Sequence, residues 1–367
     1  MTKQIDLHLA HSSVPIFLGE SLSSQLAEWV QQNLKGKKVA IVTQAPCMGI
    51  ATQAEASLKA QGLSPEIHEI PNGESAKSLS TINELMSAFL AQGLERIDTV
   101  LAVGGGVVGD AAGFAASVYL RGVPFIQYPT TLLAQVDAAI GGKTGVNHES
   151  GKNLIGTFYQ PKAIFVDFKS LDSLPPEAFH GGLAEIVKYG FILDAALLED
   201  LLAHKEAIRK GAYQDAPELW QDLVQRSIQH KVDVVSNDEK EALLREILNF
   251  GHSIGHALEA ASAYKKLSHG EAIAIGMAGE LRLSRDFSDL SAEDCDYGLS
   301  VLKGLGFELS HESSDIDQLC YHISKDKKNR GDQIRIVLLS ALGSAHTQVL
   351  PLEPVRDEMA ALYQKGE

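Results

Sequence analysis

The feature that most restricts the fold is a glycine run set between a strand and a helix. Thr99–Val103 (TVLAV) reads as a buried strand, Gly104-Gly105-Gly106-Val107-Val108-Gly109-Asp110 follows, and Ala111–Ser117 continues as a helix. Gly104, Gly106 and Gly109 satisfy the G-x-G-x-x-G spacing, in which glycines allow a tight turn and a close backbone approach to a diphosphate. The helix that opens there offers free N–H groups and the positive end of its dipole. The segments before it alternate in the same way. Lys38–Thr43 (KVAIVT) and Glu66–Ile70 read as strands, and Ile50–Ala60 and Leu79–Ala91 as amphipathic helices. Such alternation demands a parallel sheet with crossover helices. Two details differ from the ordinary Rossmann fingerprint: the loop lies past residue 100, and no acidic residue about 20 positions on is placed to hold a ribose. The segment is therefore read as a dinucleotide pyrophosphate loop in a variant Rossmann-like fold, against the plainer reading of a turn that merely needs glycine. Asp110 either answers the helix dipole or touches the cofactor.

The rhythm breaks at Asp172-Ser-Leu-Pro-Pro-Glu-Ala-Phe179, where tandem prolines block both helix and ladder. A chain of 367 residues is long enough for two cores. The expected division is an α/β domain over 1–174 and a mainly α-helical domain over 175–367. Beyond the prolines, Leu183–Tyr189, Ala196–Lys210, Glu218–Asp233, Glu241–Ala263, Glu271–Ser284 and Asp294–Leu305 read as helices, and Ile334–Leu339 as a late strand.

The chemistry of the second half concentrates in one segment. From Glu241, the residues Arg245, Asn249, His252 and His256 fall at i+4, i+8, i+11 and i+15. On a continuous helix these five occupy an arc of roughly 80°. An acid, a base, an amide and two imidazoles on one face suit a site better than a solvated surface, which favours Lys and Glu. Taken alone, the His252/His256 pair at i,i+4 suggests one zinc ion held by both rings. It is not the HExxH protease motif, because no Glu follows the first His. His269, opening an Ala/Gly-rich helix, is within plausible reach of the same metal. Glu185 and Lys188 share a helical face at i,i+3, either as an ordinary ion pair or as part of the site.

The formal net charge of −15 argues against a nucleic-acid partner, which would need a basic face. It makes local clusters of lysine informative. Lys143 in Ile140-Gly-Gly-Lys-Thr-Gly145 and Lys152 in Gly151-Lys-Asn-Leu-Ile-Gly156 both sit beside glycine, an arrangement that suits an anion cradle. Neither has the Walker A spacing. Cys47, Cys295 and Cys320 are far apart and form no CxxC pair, so free thiols in a reducing, cytoplasmic compartment are expected. No run of about 18 apolar residues is present, and Met1–Glu20 lacks a signal-peptide layout.

The ordered segments GGGVVGD, PTTLLAQVD, IGGKT, GKNLIG, GGLAEIVKYG, LNFGHSIGHALEA and HGEAIAIGM, within Lys38 to Leu339, resemble the 3-dehydroquinate synthase family. The resemblance implies a zinc or cobalt ion on Glu185, His252 and His269, which takes His256 out of the ligand set and places it near phosphate. It implies NAD against Gly104, Gly105, Gly106, Asp110, Thr130, Thr131, Glu74 and Lys77, with Lys143 and Lys152 beside it. Substrate contacts fall on Asp137, Lys143, Lys152, Asn153, Lys188, Lys231, Glu241, Arg245, Asn249 and His256. A lysine of Asp326-Lys327-Lys328 completes the phosphate grip, Lys327 in preference to Lys328. Arg121 is expected to enter the neighbouring subunit's site, which implies a homodimer.

The implied reaction converts 3-deoxy-D-arabino-heptulosonate 7-phosphate to 3-dehydroquinate and phosphate. It runs by transient NAD-dependent oxidation, phosphate elimination, re-reduction and internal aldol closure, so the enzyme is a carbon–oxygen lyase. The chain departs from the family pattern at Ala138 and Ala139, where small hydroxyl residues are common, and at Gln44, often acidic. Rival readings are another sugar phosphate cyclase, a metal-dependent NAD polyol dehydrogenase, and a non-catalytic NAD-binding regulator. Asn249, His256 and the lysine near 327 favour the keto-acid substrate.

Overall fold

A computed structural model describes residues 2–149, 151–261, 267–311, 315–324 and 333–363. Internal packing divides the chain into two compact units, Met1–Leu174 with Ala216–Lys240, and Pro175–Asp215 with Glu241–Glu367.

The first unit is built on β1 (Lys3–His8), β2 (Ser13–Gly19), α1 (Ser23–Asn33), β3 (Lys38–Thr43), α2 (Met48–Ala60), β4 (Ser64–Glu69), α3 (Leu79–Gln92), β5 (Thr99–Gly104), α4 (Gly106–Val118), β6 (Phe125–Pro129), β7 (Lys143–His148), β8 (Gly151–Phe158) and β9 (Ala163–Asp167). Seven strands form one sheet in the order β1-β2-β9-β6-β5-β3-β4, and β7 and β8 form a separate hairpin. All pairings in the large sheet are parallel except β1 with β2. Alternate residues of the central strands serve opposite faces. Ala40, Val42, Val100 and Ala102 pack with Phe89 of α3 and Val108 and Ala112 of α4. Val39, Ile41, Leu101 and Val103 pack with Leu26 and Val30 of α1 and Leu58 of α2. A sheet covered on both sides needs apolar residues at every position, which explains the unbroken KVAIVT and TVLAV runs.

The chain leaves β3 toward β4 and then returns to place β5 on β3's other side. Open parallel sheets bind ligands at such a reversal, outside the carboxyl ends of the strands. The glycine turn leaves β5 there. Gly109 also sets the spacing of α4, since a Cβ there would lie 2.7 Å from the Gln127 side chain of β6.

The second unit begins with α5 (Pro176–Ile192), α6 (Ala195–Ala203) and α7 (Lys205–Lys210). The single helix expected over Ala196–Lys210 is two, because the chain turns at His204, whose Nδ1 bonds the Asp200 carbonyl at 2.9 Å. Next comes α8 (Pro217–Asn237), which returns to the first unit. The partition expected at 175–367 therefore differs in one element. Pairs such as Lys3 Nζ–Gln225 Oε1 (2.6 Å) hold α8 there, and local sequence carries no sign of them. The second unit continues with α9 (His252–Ala261), α10 (His269–Phe287), α11 (Ala292–Gly304), α12 (Ile316–Ser324), the antiparallel hairpin β10 (Gln333–Ala341) and β11 (Ser344–Pro351), and α13 (Leu352–Ala361).

The helix expected over Glu241–Ala263 is the main correction in this half. Glu241 has a left-handed φ of 58°, Leu244–Asn249 forms a 3₁₀ segment, and the chain turns through Gly251 at φ 80° before α9 begins. The five polar residues therefore do not lie on one continuous helical face. A second miss is the set of short strands β6 and β9, five fully buried residues each, a length at which periodicity cannot separate strand from helix.

Candidate active site

In the first unit the nucleotide-type features converge. The Thr130 N–H donates to the Gly104 carbonyl at 3.0 Å. The Thr131 hydroxyl accepts from the Ala134 N–H at 3.2 Å, and a Cβ on Gly105 would lie 3.0 Å from the Thr131 side chain. The helix starts at Gly106, so Asp110 lies one turn inside α4. Lys77, almost fully buried, joins Asp110 Oδ2 at 2.7 Å to Asn153 Oδ1 and approaches Glu74 at 3.7 Å. Asn147 bridges Glu74 (2.9 Å) and the Asn153 N–H (2.9 Å). Burial raises the Asp110 pKa, and the Lys77 ammonium opposes that rise. Lys143 is exposed and Lys152 half-buried on the β7–β8 hairpin that carries Asn153. Gln44, the departure noted above, ties two loops by donating to the Pro71 carbonyl at 2.6 Å.

Asp137 occupies a π-helical turn, Ala134–Ala138, a rare form that recurs at functional sites. Its Oδ1 pairs at 2.6 Å with Lys231, a buried residue of α8. Leu120 and Arg121 both have left-handed φ, 48° and 66°, and Arg121 is exposed.

In the second unit a different group gathers. Glu185 and Lys188, each 1% exposed on α5, form an ion pair. Glu185 Oε1 lies 3.2 Å from His269 Nε2 at the start of α10 and 3.5 Å from His252 Nε2 at the start of α9. The other ring nitrogen of His252 lies 3.1 Å from the Phe250 carbonyl, which assigns the proton to Nδ1 and leaves the Nε2 lone pair facing Glu185. Burial lowers the His252 pKa to about 3, favouring the neutral ring. Burial acts in the same direction on His269, but hydrogen bonds to Glu185 and Glu259 outweigh it and raise that pKa to about 9.

Glu185, His252 and His269 offer ligand atoms close enough to share one cation. A tetrahedral zinc with bonds of about 2.0–2.1 Å separates its ligand atoms by about 3.3–3.4 Å. The 3.2 and 3.5 Å spacings match that requirement. One carboxylate with two imidazoles, one ring already oriented by a backbone acceptor, is a donor set suited to a catalytic metal. This trio differs from the His252/His256 pair suggested by spacing alone, and a second trio, His256, Glu259 and His269, also stands at ligand spacing. His256 is exposed, and its Nε2 lies 4.0 Å from Glu259. Glu259 also lies 3.6 Å from His269 Nδ1 and was missed in the sequence. The signal was there, since Glu259 follows His256 at i+3.

Arg245, 1% exposed, lies in the 3₁₀ segment, and Asn249 donates to Glu241 at 2.9 Å. Glu241 and Asn249 thus meet although no regular helix joins them. Lys327 and Lys328 lie outside the described residues.

Two family models cover most of the chain: 3-dehydroquinate synthase N-terminal over residues 67–181 and 3-dehydroquinate synthase C-terminal over 182–329. The chain belongs to the 3-dehydroquinate synthase family. A 3-dehydroquinate synthase of Cyanothece sp. is 42% identical over 351 residues, 94% of each chain. Among solved structures, a 2-epi-5-epi-valiolone synthase from Streptomyces hygroscopicus subsp. jinggangensis with NAD+ and Zn2+ bound is 28% identical, with a TM-score of 0.86 over 96% of this chain and 98% of that one. A 2-deoxy-scyllo-inosose synthase complexed with carbaglucose-6-phosphate, NAD+ and Co2+ is 26% identical, also with a TM-score of 0.86, over 97% and 99%. The 3-dehydroquinate synthase family assignment thus agrees with the α/β-plus-helical architecture. Among the described residues no helix is long and apolar enough to cross a membrane.

Proposed function

We propose that this chain is a 3-dehydroquinate synthase that converts 3-deoxy-D-arabino-heptulosonate 7-phosphate to 3-dehydroquinate and phosphate with NAD and one divalent metal, zinc or cobalt. The observation that carries the reading is the convergence of Glu185, His252 and His269 at metal-ligand spacing in a chain of this family. When bound, the metal supplies Lewis acidity and NAD supplies a hydride acceptor that is restored in each turnover.

The chain's own groups do the rest. Gly104, Gly105, Gly106, Thr130 and Thr131 present the α4 N-terminus to the pyrophosphate, and Lys77 holds Asp110 and Glu74 for the rest of NAD. Lys143 and Lys152 add positive charge beside it. Glu185, His252 and His269 are the metal ligands. Asp137, fixed by Lys231, orients substrate hydroxyls. Arg245 presents a planar fork suited to a carboxylate, and Asn249, held by Glu241, donates beside it. Lys188 balances Glu185 and lends its ammonium to developing negative charge. His256 binds the phosphate, which Lys152, Asn153 and Lys327 also grip.

Arg121 completes this grip in a second copy of the chain, so the enzyme is a homodimer. Its exposure on a turn of two left-handed residues supports this. So does the nearby apolar surface of Val118 (44% exposed), Leu120 (39%) and Phe158 (45%), tied together by the Ser117–Thr157 hydroxyl bond of 2.9 Å. The free Cys47, Cys295 and Cys320 fit a reducing cytoplasm.

The test is phosphate release from 3-deoxy-D-arabino-heptulosonate 7-phosphate with NAD+ and zinc, while absorbance follows NADH. Phosphate without accumulating NADH, lost on chelation and restored by zinc or cobalt, is the expected result. Stoichiometric NADH without phosphate would mean a polyol dehydrogenase. No turnover would move the substrate to another sugar phosphate.

A further inference from the structure

Glu280 is fully buried in the middle of α10 and takes no part in the chemistry above. Its neighbours on that helix are small or apolar: Gly276, Met277, Ala278, Gly279 and Leu281 are all buried. A carboxyl group in such surroundings needs specific partners. Its Oε2 accepts the Gly251 N–H at 2.6 Å. The backbone N–H groups of Ser253 and Ile254 also act on this carboxyl and lower its pKa, while its buried Oε1 has no hydrogen-bond partner among the described residues. These amides belong to the turn and first residues of α9, where helix donors have no internal acceptor. Glycines make the approach possible. A Cβ on Gly276 would fall 1.9 Å from the Gly251 carbonyl oxygen, and one on Gly255 2.9 Å from the Ala272 oxygen. Backbone therefore meets backbone along α9 and α10, and the Glu280 side chain spans the remaining gap.

We propose that Glu280 is a positioning residue for the metal centre, anchoring the first turn of α9 so that His252 is already aimed at Glu185 before the metal arrives. The inference rests on the metal reading of Glu185, His252 and His269. Gly251, the Glu280 partner, directly precedes His252, and the left-handed φ of 80° at Gly251 sets the direction in which α9 departs. His269 stands on the helix that carries Glu280, so one rigid element fixes two of the three ligands. Residues that orient metal ligands typically change affinity by 10- to 100-fold when lost.

The test measures zinc affinity by competition with a chromophoric chelator, on the full chain without substrate. E280Q keeps the reach and an oxygen acceptor without an ionisable group. E280D keeps the carboxyl but is about 1.5 Å shorter. The expected result is E280Q within about threefold of wild type and E280D weaker by about 10- to 100-fold. E280D binding as tightly as wild type, or E280Q losing as much as E280D, overturns the proposal. Should E280D fail to fold, amide exchange in metal-free wild type decides. Protection of the Gly251 amide comparable to α10 sustains the anchor, and exchange at the rate of open chain removes it. A wild-type protein that binds no zinc overturns the metal reading instead, and the exchange measurement still decides the anchoring.

Discussion

Replacing Gly276 by alanine adds one methyl group where α10 faces the turn into α9. The new Cβ would lie 1.9 Å from the Gly251 carbonyl oxygen, 2.8 Å from its carbon and 2.9 Å from the Gly255 nitrogen. The first contact is roughly 1.5 Å shorter than the ~3.5 Å at which nonbonded heavy atoms rest. All three obstructing atoms are backbone, so no rotamer change relieves the clash. The start of α9 must move away, which breaks the 2.6 Å bond from Gly251 to Glu280. Overpacking costs ~1–3 kcal/mol where side chains can adjust. Here the upper end, about 3 kcal/mol, is expected, more than 100-fold in the folding equilibrium of this unit. For a unit of this size that lowers Tm by about 6–12 °C. Gly181→Ala is the matched control: it lies within α5, and a Cβ there meets nothing within 4 Å. It should stabilise by about 0.5–1 kcal/mol, because alanine is the better helix former. Calorimetry on both variants, with zinc affinity for G276A, provides the assay. Neither tryptophan lies in this unit, so fluorescence would report the other one. A G276A protein that melts with wild type and binds zinc equally well would refute the backbone-contact reasoning.

Two further predictions concern buried charge. Burial raises the Glu280 carboxyl well above its ordinary 4.5, and the backbone donors only partly offset this. The folded protein therefore holds a proton that the unfolded chain has released, so this contribution to stability is complete below pH 4.5 and declines as pH rises toward the folded value. A series of melting temperatures should show that decline in wild type and a flatter profile in E280Q; a steeper decline in E280Q would contradict the sign. In the other unit, Lys77→Met removes the cation that joins Asp110, Glu74 and Asn153. NAD affinity by titration calorimetry should fall by about 10- to 100-fold, the worth of a charge-assisted hydrogen bond, while zinc affinity stays unchanged. Equal NAD binding in both proteins would take Lys77 out of the cofactor site.

Local sequence determined the parts of this protein that depend on neighbouring residues. The unbroken apolar runs of β3 and β5 mark strands covered on both faces, and the glycines after β5 mark the turn onto α4. The order of the motifs also identified the family. Tertiary structure decided which groups meet. His269 lies 84 residues from Glu185 yet stands 3.2 Å from it, while His256, four residues from His252, remains exposed beside Glu259. Helical periodicity placed Glu241 through His256 on one face, but Gly251 turns the chain and the stripe is interrupted. The return of α8 to the first unit, and the reach of Glu280 from α10 to α9, left no pattern beyond a charged residue in an apolar helix. The physical reason is one of range. Propensity, periodicity and turn chemistry act over a few residues, whereas a metal site, a buried ion pair or a helix anchor is set by packing between segments distant along the chain.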